Sequence, residues 1–296
     1  MSPTHCPAAL GLASPTELCQ QLQAHLPFFP TISWVDRTDS TNGDLMSLAR
    51  SSGAQVIRPW LLGAHLQDRG RGRAGRTWVN RSGAHLMFSC AFDVFLPARH
   101  LATLSPLAGV VVTEALRSFL PIQDVPKLNM KWPNDVQWHQ AKLAGILTEV
   151  TRASTSPLSS DHHVVIIGIG INLNDAGALS QSLNRKIADW ATIVDEVPSL
   201  KHITAAEIVT RIAKAWYQAL NEVTARGFQD LPLRHKKVDG LRDQYLTLLD
   251  NNQVILEGIG SGINEQGQLL IRQGSHTQAV SVGEVSVRPF APKNTP

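Results

Sequence analysis

The longest uninterrupted apolar stretch of this 296-residue chain is Val164 to Ile171, which reads VVIIGIGI. Eight residues fall far short of the roughly 20 that a membrane-crossing helix needs. The β-branched content marks a buried strand instead. Such a strand needs a packed domain around it. With 43% hydrophobic and 17% charged residues, the chain has material for one large domain, or one large and one small, and is not disordered. The N-terminus lacks the basic region and apolar core of a secretory signal. Cys6, Cys19 and Cys90 are too few and too scattered for a disulfide framework, and none sits in a CxxC pair. A protein of the reducing cytoplasm, without a membrane partner, is the expectation.

The order of signals predicts a mixed α/β domain followed by an all-β unit. Ser14, Pro15 and Glu17 announce a helix, and a strand follows at Ile32 to Val35. Thr41 with Asp44 reads as the capping box of a second helix. Gln55 to Gln67 and His85 to Phe95 read as strands, Leu101 to Leu120 as a helix with Pro106 near its start. Lys127 to Trp138, bent at Pro133, and Lys142 to Thr151 look like two strands joined by a short turn. Thr204 to Gly227 is the clearest helix, with a Thr204/Glu207 capping box, an apolar stripe through Ile208, Ile212, Trp216 and Val223, and Gly227 as its stop. After Val238 the texture changes to five short strands with polar turns at about 8–12-residue spacing, the pattern of a small barrel.

A net charge of +3 says little by itself, but five of the 18 arginines (Arg69, Arg71, Arg73, Arg76 and Arg81) fall within 13 residues. They alternate with Gly70, Gly72 and Gly75. The glycines match G-x-G-x-x-G literally, yet arginines fill the variable positions and Thr77-Trp78-Val79 looks extended, so a dinucleotide loop is not supported. A glycine backbone carrying guanidinium groups suits a carboxylate or phosphate. The competing reading is a solvated basic loop; Trp78, able to stack on a base, favours the ligand. Lys131-Trp132-Pro133-Asn134-Asp135 places a lysine and an acid on either side of a rigid X-Pro step, and Asp135 could hold magnesium or orient a nucleophile. Lys142 opens an apolar strand, as a snorkelling surface residue or as a fixed cation at a pocket mouth. Gly168 and Gly170, inside a buried strand, suggest close approach to its backbone. His162-His163 reads as a solvated pair, and His5 with Cys6 lacks the partners of a zinc site.

Taken together, Asp39-Ser40-Thr41-Asn42, the segment from Gln67 through Gly70-Arg71-Gly72-Arg73-Ala74-Gly75-Arg76-Thr77-Trp78, Lys131-Trp132-Pro133-Asn134-Asp135, Lys142-Leu143-Ala144-Gly145-Ile146 and Gly168-Ile169-Gly170-Ile171-Asn172 resemble the biotin protein ligases in order and spacing. The likeness runs from about residue 30 to the end. It implies an α+β fold with a mixed sheet flanked by helices, of the class II synthetase-like biotin–lipoate ligase type, and a C-terminal SH3-like barrel. The implied division is an N-terminal segment 1–30, a catalytic domain 31–237 and a barrel 238–296. The implied chemistry is biotin plus Mg-ATP to biotinyl-5′-adenylate, then transfer of the acyl group to one lysine of a biotin carboxyl carrier domain, as in acetyl-CoA carboxylase or a related carboxylase.

In residues, the resemblance implies that Ser40, Thr41, Asn42, Gln67, Gly72 and Gly168 meet biotin. Arg71 and Arg73 neutralise its carboxylate and the α-phosphate. Arg76, Trp78, Lys131, Asn134 and Asn172 serve ATP, with Lys142 at the acyl-phosphate oxygen and Asp135 near magnesium or the incoming lysine. The glycine-rich loop would close over the adenylate. Asp68-Arg69 stands where many members carry uncharged residues, and Ala74 replaces a frequent arginine. About 30 residues precede Ile32, fewer than a winged helix-turn-helix requires, so the monofunctional kind without nucleic-acid binding is expected; a homodimer is left open. A lipoate ligase or octanoyltransferase shares the fold, and a nucleic-acid-binding module would use the arginines for phosphates.

Overall fold

The computed structural model describes residues 11–51, 57–152, 161–250, 253–282 and 286–289. His5, Cys6 and the first residues of the strand expected from Gln55 lie outside them. The first helix, α1 (Pro15–His25), begins at the expected capping box, Glu17 N–H donating to Ser14 Oγ at 3.4 Å and Ser14 N–H to Glu17 Oε2 at 3.0 Å. After β1 (Thr31–Thr38) comes α2 (Thr41–Ser51), whose cap differs from expectation. Ser40 Oγ, not Thr41, accepts from a first-turn N–H, that of Gly43 at 3.3 Å, and Asp44 is taken by the Thr38 hydroxyl. The Thr41 hydroxyl is left to point into the sheet.

The strands β2 (Trp60–Gln67) and β3 (His85–Phe95), the helix α3 (Leu104–Arg117), and the strands β4 (Leu128–Lys131), β5 (Asp135–Trp138), β6 (Ala141–Arg152) and β7 (His162–Asn172) follow. The strands form one sheet of order β1-β2-β3-β7-β6-β5-β4. The β1–β2 pair is parallel and the other described pairs are antiparallel, so the expected mixed sheet is present. Lys127 to Trp138 is not one bent strand. Trp132-Pro133-Asn134 is the turn of a hairpin, with Lys131 opposite Asp135. A proline has no N–H for a ladder and belongs where pairing stops. Nor is His162-His163 solvated: both side chains are buried at the start of β7, and His162 Nε2 lies 2.8 Å from Asp93 Oδ1.

The helices α4 (Ala176–Leu183), α5 (Trp190–Glu196), α6 (Ala205–Arg226) and α7 (Leu231–Val238) follow β7. Among them only α6 was expected, and its Thr204/Glu207 capping box is formed. The helices α1, α3 and α6 cover one face of the sheet and α2 the other. That is why β3 and β7 are buried along nearly their whole length. The chain ends in β8 (Tyr245–Asp250), β9 (Gln253–Ile263), β10 (Leu269–Gln273), β11 (His276–Val280) and β12 (Ser286–Pro289), an antiparallel sheet of order β11-β10-β9-β8-β12. It joins the larger core through Leu246, Leu248, Leu269 and Ile271. Two polar contacts fix its turn on the main domain: Trp132 Nε1–H donates to Gly267 O at 2.9 Å and Thr103 Oγ1–H to Gln266 O at 2.9 Å. No described helix is long and apolar enough to cross a membrane.

Candidate active site

Period-two alternation along β7 creates the site. Val164 and Ile166 pack under Leu45, Met46 and Ala49 of α2, and the next positions on the same face are Gly168 and Gly170. A Cβ at Gly168 would lie 2.0 Å from Asn42 Oδ1 and 2.8 Å from Ser89 Oγ; one at Gly170 would lie 2.4 Å from Trp78 Cε2. Real Cβ contacts are essentially never that short, so a side chain at either position would force Asn42 or Trp78 to move. The side chains above them border a cavity of about 160 Å³.

Part of the lining is an uncharged polar network. Ser40, Thr41 and Asn42 arrive buried at the start of α2. Thr41 N–H donates to Gln67 Oε1 at 2.8 Å, and the Thr41 and Ser89 hydroxyls lie 2.7 Å apart. Ser89 Oγ–H donates to Asn42 Oδ1 at 2.6 Å, and Asn42 Nδ2–H donates to Glu149 Oε2 at 2.9 Å. These donors and acceptors have fixed directions, which suits a ligand with both N–H and C=O groups.

The cavity is also lined by cations. The loop after β2 folds on itself: Gly72 N–H donates to Arg76 O at 2.7 Å and Trp78 N–H to Gly70 O at 2.8 Å. Asn80 ties it down, accepting from Gln67 N–H at 3.0 Å and donating to Gln67 O at 2.8 Å. Arg71 Nη2 meets Glu149 Oε2 at 3.0 Å, and Arg73 Nη1–H donates to Asn134 Oδ1 at 3.2 Å. Burial, with Arg76 adding repulsion, lowers the pKa of the Arg73 guanidinium, and Asp135 opposes the shift. Lys142 Nζ sits 2.6 Å from Asp135 Oδ1 and 5.6 Å from the Trp78 ring centre. Asn134 Nδ2–H donates to Ile146 O at 2.6 Å, which fixes the hairpin against β6. The Trp78 indole lies over Gly170, edge-on to His85, and its buried Nε1–H has no acceptor among the described residues.

Thirteen of the fifteen residues singled out in the sequence line this cavity; Lys131 and Asn172 do not. Lys131 stays in the β4–β5 ladder. The Asn172 amide is spent on Lys142 O at 3.1 Å and Ala188 O at 3.0 Å, and borders only a small adjoining space. Gly168 lines the cavity, but the group lying on it is Asn42. Ser89, Glu149, Asn80 and Arg185 went unnoticed. Ser89 carried a signal, a lone hydroxyl inside the apolar run of β3; the others carried none. Among the described residues no three metal-ligating side chains converge, and Asp135 is held by Lys142.

Residues 34–172 match the model of the Biotin/lipoate A/B protein ligase family, and residues 246–288 that of the Biotin protein ligase C terminal domain. The chain is 31% identical to the Bifunctional ligase/repressor BirA of Salmonella typhimurium over 84% of its own length and 72% of the relative's. It is 32% identical to the biotin–[acetyl-CoA-carboxylase] ligase of Mycobacterium tuberculosis, covering 85% of this chain and 86% of that one. The biotin protein ligase of Aquifex aeolicus, solved in complex with biotin and ATP, superposes with a TM-score of 0.68 at 25% identity, over 88% of this chain and all of that one. The glycine-floored cavity with its polar and cationic lining, together with this degree of identity and coverage, places the chain in the biotin protein ligase family.

Proposed function

We propose that this protein activates biotin with ATP to biotinyl-5′-adenylate and transfers the biotinyl group to a lysine of a biotin carboxyl carrier domain, such as that of acetyl-CoA carboxylase. The observation that carries it is that Arg71, Arg73, Arg76 and Lys142 line the same cavity as the Ser40–Thr41–Asn42–Gln67–Ser89 network, with Arg71 and Asn42 meeting on the Glu149 carboxylate. The network offers the ureido ring its donors and acceptors, and the cations receive the carboxylate and phosphates.

In the first step a carboxylate oxygen of biotin attacks the α-phosphorus of ATP, and pyrophosphate leaves with the bonding pair. Two anions must meet, so Arg71 and Arg73 lower the barrier by neutralising both. Each already holds an internal partner, which the substrate replaces. In the second step the carrier lysine's neutral amine attacks the acyl carbon, AMP leaves, and a proton is released. In this reading Asp135, which the cavity shares with Lys142, accepts it. A single engaged carboxylate is a poor magnesium cage, so Mg2+ would enter with the nucleotide and offset its phosphate charge, with Asp135 the acid in the cavity lining that would contribute an oxygen. Relatives that carry these names, and a neighbour that holds biotin and ATP, support the reading.

Biotin-dependent ATP–pyrophosphate exchange tests it, with lipoate and octanoate as controls. Exchange is expected with biotin alone and is expected to collapse in Lys142→Met with the fold retained; exchange with lipoate in place of biotin overturns the proposal.

A further inference from the structure

The cavity is bordered by a cation that no motif announces. The helix α4 ends at Asn184, in the left-handed region at φ 47° and ψ 48°, and the chain reverses there. Arg185 N–H closes the turn on Ser180 O at 3.3 Å, and Ile187 N–H on Ser180 Oγ at 3.1 Å. The next residues run beside the start of β6: Lys142 N–H donates to Lys186 O at 3.0 Å and Ala188 N–H to Lys142 O at 2.9 Å. Arg185 is thereby fixed next to the strand that delivers Lys142, and its side chain borders both the main cavity and the small space beside Trp78 and Lys142.

Its electrostatic situation differs from that of its neighbours. Arg71 is paired with Glu149 and Lys142 with Asp135. Arg185 has no ion pair or hydrogen bond from its side chain among the described residues. Its charge is therefore available to a ligand without displacing an acid. Resting on the proposed function, the demand for extra positive charge is uneven across the two steps. ATP brings a triphosphate with several negative charges; after pyrophosphate departs, the adenylate keeps a single phosphate charge. A cation held outside the internal pairs serves the step that handles the larger anion.

We infer that Arg185 is a triphosphate-binding residue that acts in adenylate formation, on the β- and γ-phosphates of ATP and on the leaving pyrophosphate, and not in transfer to the carrier. The two half-reactions separate this from a structural role. Arg185→Gln should raise the KM for ATP in biotin-dependent pyrophosphate exchange about tenfold, the effect of losing one charge-assisted hydrogen bond on an affinity. Transfer from supplied biotinyl-5′-adenylate to the carrier domain should stay within about twofold of wild type. Arg185→Lys, which keeps the charge, should recover most of the ATP affinity, and the gap between wild type and Arg185→Gln should narrow as salt screens the contact. Unchanged exchange in Arg185→Gln, or equal losses in both half-reactions, overturns the inference. A wild-type protein without biotin-dependent exchange instead overturns the proposed function.

Discussion

Along β7, residues pointing to one side and residues pointing to the other have opposite characters. Val165, Ile167, Ile169 and Ile171 enter the main core with α3 and α6. On the other side Val164 and Ile166 fill the contact with α2, and then side chains stop at Gly168 and Gly170, over which Asn42 and Trp78 lie. One face obtains stability by filling space; the other obtains a site by leaving it out. A strand can do both because its two faces are read by alternate residues. The rigidity of the filled face holds the empty one in position.

Substitutions on the two faces should therefore fail differently. The largest effect is expected for Gly170→Val. Its side chain must displace Trp78, and misplacing a positioning group by an ångström costs about a hundredfold in rate. Pyrophosphate exchange should fall by about that factor, with the far-ultraviolet dichroism of the native fold kept. Gly168→Ala pushes at the Asn42 amide instead; biotin affinity should fall about tenfold while the KM for ATP moves little, as a titration with each substrate would read. On the filled face, Ile167→Ala should lose about 2–5 kcal/mol of stability in denaturant unfolding, with activity per folded molecule unchanged. If Ile167→Ala inactivates without destabilising, the division between the faces is wrong.

The smallest effect concerns pH. His85 lies buried on the cavity side, and burial pulls its pKa below the ordinary 6.5. The unfolded chain then takes up the proton first as pH falls, so stability is full above about pH 6.5 and declines as pH drops through the window beneath it. His85→Phe should flatten that decline. His235, whose pKa is lowered mainly by burial, contributes in the same sense, so some slope should remain. A thermal midpoint for His85→Phe with the same pH slope as wild type would remove His85 from this account.

The helices with caps and stripes and the long strands were legible because their signals are local. So were the motif residues, since a run of glycine and arginine or a Trp-Pro-Asn-Asp step stands out without knowledge of its neighbours. What stayed hidden is long-range. Glu149 looks like an ordinary polar residue of β6 until Asn42, 107 positions away, and Arg71 are seen to share its carboxylate. Asn172, placed by motif at the nucleotide, spends its amide on two backbone carbonyls. The helices α4 and α5, of eight and seven residues, are too short for a periodic stripe to show. His162 and His163 misled because a Ser/Thr-rich neighbourhood suggested solvent, whereas Asp93 and Phe95 on the adjacent strand enclose His162.

The bond from Trp132 to Gly267 spans 135 positions, and this separation has a meaning in time. Lys131, Asn134 and Asp135 leave the ribosome long before the turn that steadies their hairpin. At ordinary elongation rates of about 5–20 residues per second, the delay is of the order of 10 s. A growing chain thus carries its reactive hairpin for that interval without its brace, and gains the brace only when the second sheet has been made. The contact between the two sheets is therefore made only after both partners have been synthesised.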